Sequence, residues 1–187
     1  MKALTVLVDM DDVLENLCDT WLSVLNERHG TSVGVEDIQE WDITKFFPSL
    51  TRKEVFRPLE EKDTWIRVKP CQGACEYTKK MIEDGHRVIV VTASNPGSKA
   101  VSYKFKYVLF KYFPHFSYKD VVIATQKQLI KGDVLIDDNP ANLENADYFG
   151  ILVNRPHNRN YKIQSGRMKR ADTWDEIYRL ICKLAQD

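Results

Sequence analysis

Short β-branched apolar runs alternate along the chain with segments in which apolar residues recur at helical spacing. Five of the runs are continuous and do not alternate with polar residues, a pattern typical of strands covered on both faces of a parallel sheet. They lie at Leu4 to Val8, Arg87 to Val91, Asp120 to Ala124, Asp133 to Ile136 and Ile151 to Val153. Because helical segments separate them, the pattern predicts an α/β layered fold with a parallel five-stranded sheet and right-handed crossovers.

The helical segments carry end signals. Residues 74–84 show an apolar face and stop at Gly85, a favoured residue after a helix C-terminus. A second helix is predicted at roughly 98–113, before Pro114. A third is predicted in the closing "TWDEIYRLICKL", where Thr173 and Glu176 form a capping-box pattern.

One long stretch, residues 16–72, interrupts the alternation between the first and second strands. It contains a helix-like "NLCDTWLSVLNERHG", an irregular aromatic "EWDITKFF", and "TRKEVFRPL", which opens with a capping-box pattern of Thr51 and Glu54. We expect residues 16–72 to form a small helical cap over the carboxyl edge of the sheet. Residues 1–15 and 73–187 would then form the α/β core.

Composition narrows the class of partner. The chain has 27 basic and 27 acidic side chains, so no net field would attract a nucleic acid polymer or an anionic membrane. No apolar run reaches the roughly 20 residues of a membrane span, and no signal-peptide pattern is visible, so we expect a cytoplasmic protein. The four scattered cysteines predict free thiols. The aromatic surplus in "YKFKYVLFKYF" is a candidate homodimer interface.

Polar residues follow four of the predicted strands where each strand ends. In an open parallel sheet the ligand site lies outside these carboxyl ends, so the residues should converge on one crevice. They are Asp9, Asp11 and Asp12 after the first strand, Thr92 and Ser94 after the second, Thr125 and Lys127 after the third, and Asp137 and Asp138 after the fourth. Carboxylates from two strands, a hydroxyl and lysines are the groups of a magnesium-assisted phosphoryl-transfer site.

The charges suggest roles for these groups. Mg²⁺ prefers a few hard oxygen ligands, with water and a substrate phosphate completing its shell. A carboxylate can attack phosphorus and form an aspartyl-phosphate, provided cations neutralise the two anions. Asp11 could protonate the leaving oxygen and later deprotonate water. Taken alone, "DMDD" is also compatible with a structural cation site or a polar strand end, and Thr92 or Ser94 with a helix N-cap.

These motifs resemble the haloacid dehalogenase-like phosphohydrolase superfamily, which places D-x-D after the first strand and an acidic pair after the fourth. More narrowly, "VLVDMDDVL", "VVTAS", the lysine-bearing helix that ends "KYFP", and "KGDVLIDDNPANL" resemble the 5'(3')-deoxyribonucleotidase family. The resemblance runs through nearly the whole chain and is weakest in the cap. It implies a three-layer sandwich with a helical cap inserted after the first strand.

The resemblance also implies residue roles. Asp9 would be the nucleophile and Asp11 the acid and base, with its backbone carbonyl on the metal. Asp137 would complete the protein ligands, and Asp138 would orient water or a lysine beside the ion. Phosphate oxygens would be held by Thr92 and the backbone of Ala93 and Ser94.

The phosphate-binding lysine has three candidates. Lys104 in "YKFKYV" fits the family's lysine-aromatic pattern, although one residue more than expected separates it from "YFP". Lys106 is therefore a rival, and Lys127 is the third candidate.

Two features depart from the family pattern. Asp12 stands where the family usually has glycine, which adds a negative charge beside the site. The base-pocket aromatics align poorly, so four residues are candidates by their position in the cap alone, and each could equally be part of the cap's own core. These are Trp41, Phe46, Phe47 and Trp65. Stacking on such rings would suit a nucleobase, and other apolar esters as well.

The sequence therefore predicts a Mg²⁺-dependent phosphoric monoester hydrolase acting on a small nucleoside monophosphate. Phosphatases of other small esters remain an alternative. A receiver-like signalling module also gathers acids, Thr and Lys around magnesium, but it carries its acceptor after a middle strand. A non-catalytic nucleotide-binding protein is the remaining rival.

Overall fold

Six parallel strands form the central sheet in the computed structural model, which describes residues 2–94, 97–144 and 146–186. The strands are β1 (Thr5–Val8), β2 (Arg87–Thr92), β3 (Val121–Ile123), β4 (Val134–Asp137), β5 (Phe149–Val153) and β6 (Met168–Ala171). Their order is β3-β2-β1-β4-β5-β6, and all neighbouring pairs are parallel. The five predicted strands are confirmed, but the predicted strand count of five was wrong.

The missed strand, β6, has the sequence MKRA and lies at the edge of the sheet beside β5. Its ends, Met168 and Ala171, are buried, whereas Lys169 is exposed. Charged residues are a common way to protect an edge strand from unwanted pairing. They also remove the continuous apolar run by which the other strands are recognised.

β1 lies at the centre of the sheet, where the chain changes its direction of progress across the strands. Val8 pairs with Val90 of β2 on one side and with Ile136 of β4 on the other. The ladder extends one step further, since Asp9 N donates to Ile136 O over 2.9 Å. The residues that follow β1 and β4 therefore lie side by side at the switch point, where open α/β sheets bind their ligands.

Helices and apolar clusters cover both faces of the sheet. The helices are α1 (Leu17–His29), α2 (Arg52–Phe56), α3 (Lys62–Arg67), α4 (Ala74–Glu83), α5 (Ala100–Lys104), α6 (Phe110–Tyr112), α7 (Pro140–Leu143) and α8 (Trp174–Leu184), with a π-helical turn at Phe105–Leu109. Val6 and Val8 pack in one cluster with residues of α4 and α8, whereas Leu7 packs in another with Leu143 of α7. These layers confirm the predicted three-layer α/β architecture.

Residues 16–72 contain a third apolar cluster of their own. It is built from Leu22, Leu25, Ile38, Ile43, Phe47 and Val55. The predicted capping box is present: Thr51 Oγ1 accepts from Glu54 N, and Glu54 Oε2 accepts from Thr51 N over 2.7 Å. Gly30 ends α1 in the left-handed conformation, as its sequence position predicts. The division into a core and a cap at these residue numbers stays a prediction.

The four cysteines are all free, which confirms the prediction of free thiols. Across residues 2–94, 97–144 and 146–186, no helix combines the length and the apolar character that crossing a membrane takes.

Candidate active site

Three carboxylates meet at the switch point between β1 and β4. Asp9 follows β1, Asp137 ends β4 and Asp138 comes next, and all three are buried. One carboxylate oxygen of each lies within 4.8 Å of the others. Burial raises the pKa of Asp9 well above its ordinary value, and the nearby charge of Asp137 adds to the effect. A cation in this group would relieve the repulsion among these acids.

Asp137 is held in place by its neighbours. Its Oδ1 accepts from Asn139 N over 2.8 Å, and Asn142 Nδ2 donates to both of its oxygens over 3.1 Å. Burial raises the pKa of Asp137, while Lys127 opposes that rise. The carboxylate is therefore fixed in orientation before any ligand arrives.

Lys127 supplies a buried positive charge to this group. Its Nζ lies 2.6 Å from Asp9 Oδ1 and 2.7 Å from Asp137 Oδ2. Burial alone would lower the pKa of Lys127, but the attraction of the two carboxylates outweighs it and raises that pKa above the ordinary value. The third lysine candidate of the sequence thus contacts the predicted nucleophile directly.

Lys104 supplies a second buried positive charge, on the other side of the site. Its Nζ donates to both carboxylate oxygens of Asp11 over 2.7 Å and to Thr92 Oγ1 over 3.0 Å. The ring centroid of Trp65 lies 5.5 Å from the same nitrogen. Lys104 therefore joins the predicted acid and base to the predicted phosphate-binding hydroxyl.

Lys106 does not reach the site, so this candidate is corrected. Its side chain is exposed, and its Nζ lies 5.4 Å from the ring centroid of Tyr107. A position two residues along a helix is turned about 200° away, so Lys104 and Lys106 cannot face the same crevice. The extra residue between Lys104 and "YFP" coincides with the π-helical turn Phe105–Leu109, a local widening that often occurs at functional sites.

Asp11 stands apart from the three converging carboxylates. Its half-exposed side chain is bound by Lys104 instead. The structure therefore brings together the side chains of three of the four predicted acids, Asp9, Asp137 and Asp138, and gives Asp11 a different partner.

Asp12 has a backbone conformation that favours glycine, the residue that the resemblance leads us to expect at this position. Its φ is +56°, in the left-handed region, which Asp tolerates better than most residues do. Its Oδ1 accepts from Cys18 N over 2.9 Å near the start of α1, and its carbonyl accepts from Arg155 Nε over 2.7 Å. Burial and the charge of Asp138 raise the pKa of Asp12 to about 7. The hydrogen bond from Cys18 N to the Asp12 side chain thus helps to hold a backbone conformation that glycine adopts without strain.

Two residues at the site were missed by the sequence analysis after β5. His157 Nε2 lies 2.9 Å from Asp138 Oδ2, and Asn158 Nδ2 donates to Asp138 O over 2.7 Å. Both belong to the turn Pro156–Asn158 that follows β5. The rule that located the other residues, applied to the strand that ends at Val153, would have found them.

The sequence analysis also missed Glu15, because the residues around it give no sign that it is buried at the site. It is fully buried, and neither carboxylate oxygen has a hydrogen-bond partner within the described part of the chain. Burial, and next the charge of Asp11, raise the pKa of Glu15 well above its ordinary value. A protonated, neutral Glu15 is the form that this environment favours.

Two adjoining cavities open onto these residues. The smaller, about 360 Å³, is lined by Asp9, Asp138 and His157, and the larger, about 940 Å³, by Ser94 and Lys104. Both share the lining residues Asp11, Leu17, Phe56, Leu59 and Ala93. Asp11 therefore lies where the two cavities meet, and Asp9 lies in the smaller one.

The predicted aromatic residues have different positions. Trp41, 61% exposed, lines the smaller cavity, and Trp65, buried, lines the larger one. Phe46 packs against the apolar cluster of residues 16–72 and lines neither cavity, which corrects its assignment to the substrate pocket. Phe47 lies inside that cluster. Phe56, which the sequence analysis did not select, lines both cavities.

The donor set fits magnesium. Asp9, Asp137 and Asp138 offer hard carboxylate oxygens only, which Mg²⁺ prefers to nitrogen or sulfur. Lys127 places one ammonium group among these three carboxylates. Because one positive charge does not balance three acidic groups, a divalent cation is still favoured here.

Comparisons with known proteins point to one family. Residues 2–186 match the model of a family described as 5' nucleotidase, deoxy (pyrimidine), cytosolic type C. The chain is 33% identical over 175 residues to a 5'(3')-deoxyribonucleotidase of Bacillus subtilis strain 168, with 93% of this chain and 96% of that protein covered. It is 28% identical over 187 residues to a 5'(3')-deoxyribonucleotidase of Clostridium acetobutylicum, with 100% and 99% covered.

A solved structure supports the fold. A HAD hydrolase of Bacillus subtilis, determined with magnesium bound, aligns with a TM-score of 0.57 at 12% identity, covering 97% of this chain and 99% of that one. At this identity the likeness shows the fold alone.

Proposed function

We propose, from the premise that this chain belongs to the 5' nucleotidase, deoxy (pyrimidine), cytosolic type C family of phosphoric monoester hydrolases, that it hydrolyses deoxyribonucleoside monophosphates with magnesium. The products would be a nucleoside and inorganic phosphate. The observation that carries the proposal is the convergence of Asp9, Asp137 and Asp138 on the switch point of the sheet, with Lys127 among them.

Asp9 is the nucleophile in this proposal. One of its carboxylate oxygens attacks phosphorus, the bond from phosphorus to the nucleoside oxygen breaks, and an aspartyl-phosphate forms. Lys127, 2.6 Å from Asp9, limits the charge that the incoming phosphate meets. A magnesium ion bound by Asp9, Asp137 and Asp138 would neutralise phosphate oxygens and so make attack by an anion feasible.

Asp11 is the general acid and base in this proposal. As an acid it gives a proton to the leaving nucleoside oxygen, and as a base it then takes one from the water that hydrolyses the aspartyl-phosphate. Lys104 holds both oxygens of Asp11, which fixes the carboxylate toward the crevice. In that second step the water oxygen bonds to phosphorus, the bond from phosphorus to Asp9 breaks, phosphate is released and the Asp9 carboxylate is restored.

Phosphate oxygens are held by Thr92, Ala93 and Ser94 together with Lys104. Thr92 Oγ1 accepts a hydrogen bond from Lys104 Nζ over 3.0 Å. Ala93 and Ser94 line the larger cavity. Residues 16–72 act as the cap, with Trp41 and Trp65 beside the leaving group, and residues 1–15 and 73–187 act as the core. Closing the cap would exclude water from the aspartyl-phosphate.

A panel of monophosphates tests the proposal. We expect multiple-turnover phosphate release from deoxyribonucleoside monophosphates in Mg²⁺, little release in EDTA, and slower release from sugar monophosphates of similar charge. Faster release from a sugar monophosphate than from any nucleotide would contradict the substrate class. Magnesium-dependent nucleotide binding without release would contradict catalysis, as would a single phosphorylation of the chain without turnover.

A further inference from the structure

One chain of contacts joins residues 16–72 to the carboxylate group. The rings of Trp41 and His157 meet edge to face, with centroids 5.1 Å apart and planes at 84°. Towards the carboxylates, His157 Nε2 lies 2.9 Å from Asp138 Oδ2, which is an ion-pair distance without the geometry of a hydrogen bond. His157 therefore touches a residue of the proposed cap and a proposed magnesium ligand at the same time.

The backbone at the His157 end of this chain of contacts is firmly placed. Its neighbour Asn158 is buried and donates from Nδ2 to Asp138 O over 2.7 Å and to Val153 O over 2.8 Å. Arg170 on β6 donates to Asn158 Oδ1 over 2.7 Å. The turn is thereby attached to Asp138, β5 and β6, so the backbone that carries the imidazole is held against the sheet.

The Trp41 end is placed much less firmly. Its side chain is 61% exposed, and no hydrogen bond of its indole is observed within the described residues. The neighbouring turn Val35–Asp37 makes a second contact with the same region, since Arg159 donates to Glu36 over 2.8 Å. Both Trp41 and His157 line the smaller cavity together with Asp9 and Asp138. Movement of this part of the proposed cap would therefore alter the contact between Trp41 and His157.

We propose that His157 is a positioning residue that couples the placement of Trp41 to the orientation of Asp138. Because the contact of Trp41 with His157 would hold Asp138 in its ligating orientation, placement of Trp41 in the closed cap favours magnesium binding, and magnesium binding favours that placement to the same degree. This inference rests on the proposed function, since it takes Asp138 as a magnesium ligand. It adds that cap closure is set partly at the metal site and not by the substrate alone.

Calorimetric titration of the full chain with magnesium chloride, without nucleotide, tests this coupling. Trp41→Ala should raise the Kd for magnesium about two- to tenfold, the range expected for losing one aromatic pair. Trp41→Phe keeps a ring at this position and should stay near the unaltered value. In a His157→Phe background, Trp41→Ala should cause no further change, because the link to Asp138 is already cut.

Tyr118→Ala is the matched control, because Tyr118 is 76% exposed and lines neither cavity. Thermal unfolding of each variant establishes that it is folded. If the unaltered chain binds magnesium and Trp41→Ala leaves the Kd unchanged, the coupling through His157 is refuted while the proposed function stands. Equal effects of Trp41→Ala with and without His157 would also refute it. If the unaltered chain binds no magnesium, the metal assignment itself fails, and the coupling with it.

Discussion

At the residue scale, the site depends on two buried lysines that serve different acids. Lys127 follows β3 and contacts Asp9 and Asp137, whereas Lys104 ends α5 and contacts Asp11. An unpaired buried charge is costly, so each lysine and the acids that it contacts stabilise one another in the folded chain. The nucleophile and the acid and base thus have separate cationic partners.

Replacing Lys104 tests its contribution to kcat/KM. Lys104→Ala should lower kcat/KM by about 10² to 10³, comparable to the loss of one donor that stabilises a transition state. Lys106→Ala is the matched control, since Lys106 lies two residues further and is exposed. Steady-state kinetics on the preferred nucleotide give the comparison. Equal losses in the two variants would contradict the placement of Lys104.

Glu15 gives a prediction for the dependence of stability on pH. Because its pKa is raised in the folded chain, the native state keeps the proton to a higher pH than the unfolded state, whose pKa is near 4.5. Between those two pKa values the native state binds more protons, so the free energy of unfolding falls as pH rises. One group contributes a slope of at most about 1.4 kcal/mol per pH unit.

Glu15→Gln should remove this contribution and flatten the decline above about pH 5. Urea unfolding in EDTA over a pH series measures it, and only the slope is compared, because a buried amide brings its own constant cost. Glu76→Gln, at an exposed position on α4, should leave the slope as it is. Parallel curves for Glu15→Gln and the unaltered chain would show that Glu15 titrates normally.

Three of the residues that the sequence predicted share one property: each is the last residue of a strand or directly follows one. Asp9, Thr92 and Asp137 were found because parallel strands end at one edge. Glu15 follows no strand, and its burial depends on packing that local sequence does not encode. The sequence also could not decide between Lys104 and Lys127 as the phosphate-binding lysine, because both contact acids that only the fold brings near them.

At the element scale, three local features decide the geometry. The π-helical turn Phe105–Leu109 absorbs one extra residue and leaves Lys104 facing Asp11. The charged edge strand β6 supports the turn that carries His157, through Arg170. The strands and long helices were predictable from periodicity, whereas a π-helical turn and a polar edge strand have no apolar pattern to reveal them.

The proposed cap is also anchored at the larger cavity. Glu60, in the turn Arg57–Glu60, accepts from Ser98 Oγ over 2.7 Å and from Lys99 N over 3.1 Å at the start of α5. This exposed carboxylate therefore joins the proposed cap, residues 16–72, to the proposed core by hydrogen bonds close in sequence to the predicted phosphate-binding residues.

Removing that anchor should weaken substrate binding more than the chemical step. Glu60→Ala should raise KM about two- to fivefold, with a smaller change in kcat and less effect at high salt. Glu61→Ala is the control, because Glu61 pairs with Arg28 and Arg57 inside the proposed cap. A kcat loss larger than the KM change in Glu60→Ala would indicate a role in the reaction and contradict an anchoring one.

At the scale of the whole molecule, the position of β1 explains why the chemistry collects where it does. β1 pairs with β2 on one side and β4 on the other, so acids from β1 and β4 and a hydroxyl from β2 reach one point. The sequence predicted this convergence through the general rule for open parallel sheets. It did not predict the cavity walls, because the packing of residues 16–72 over the sheet depends on many weak contacts.

The nucleophilic role of Asp9 is the central claim. Asp9→Asn nearly preserves the shape and volume of the side chain while replacing the attacking carboxylate, so the fold should remain intact. Release of phosphate from a deoxyribonucleoside monophosphate in Mg²⁺, compared between this variant and the unaltered chain, is the most direct test. We predict a loss of about 10⁴-fold or more with a preserved cooperative unfolding transition. Hydrolysis by folded Asp9→Asn within about tenfold of the unaltered rate would contradict covalent catalysis at Asp9.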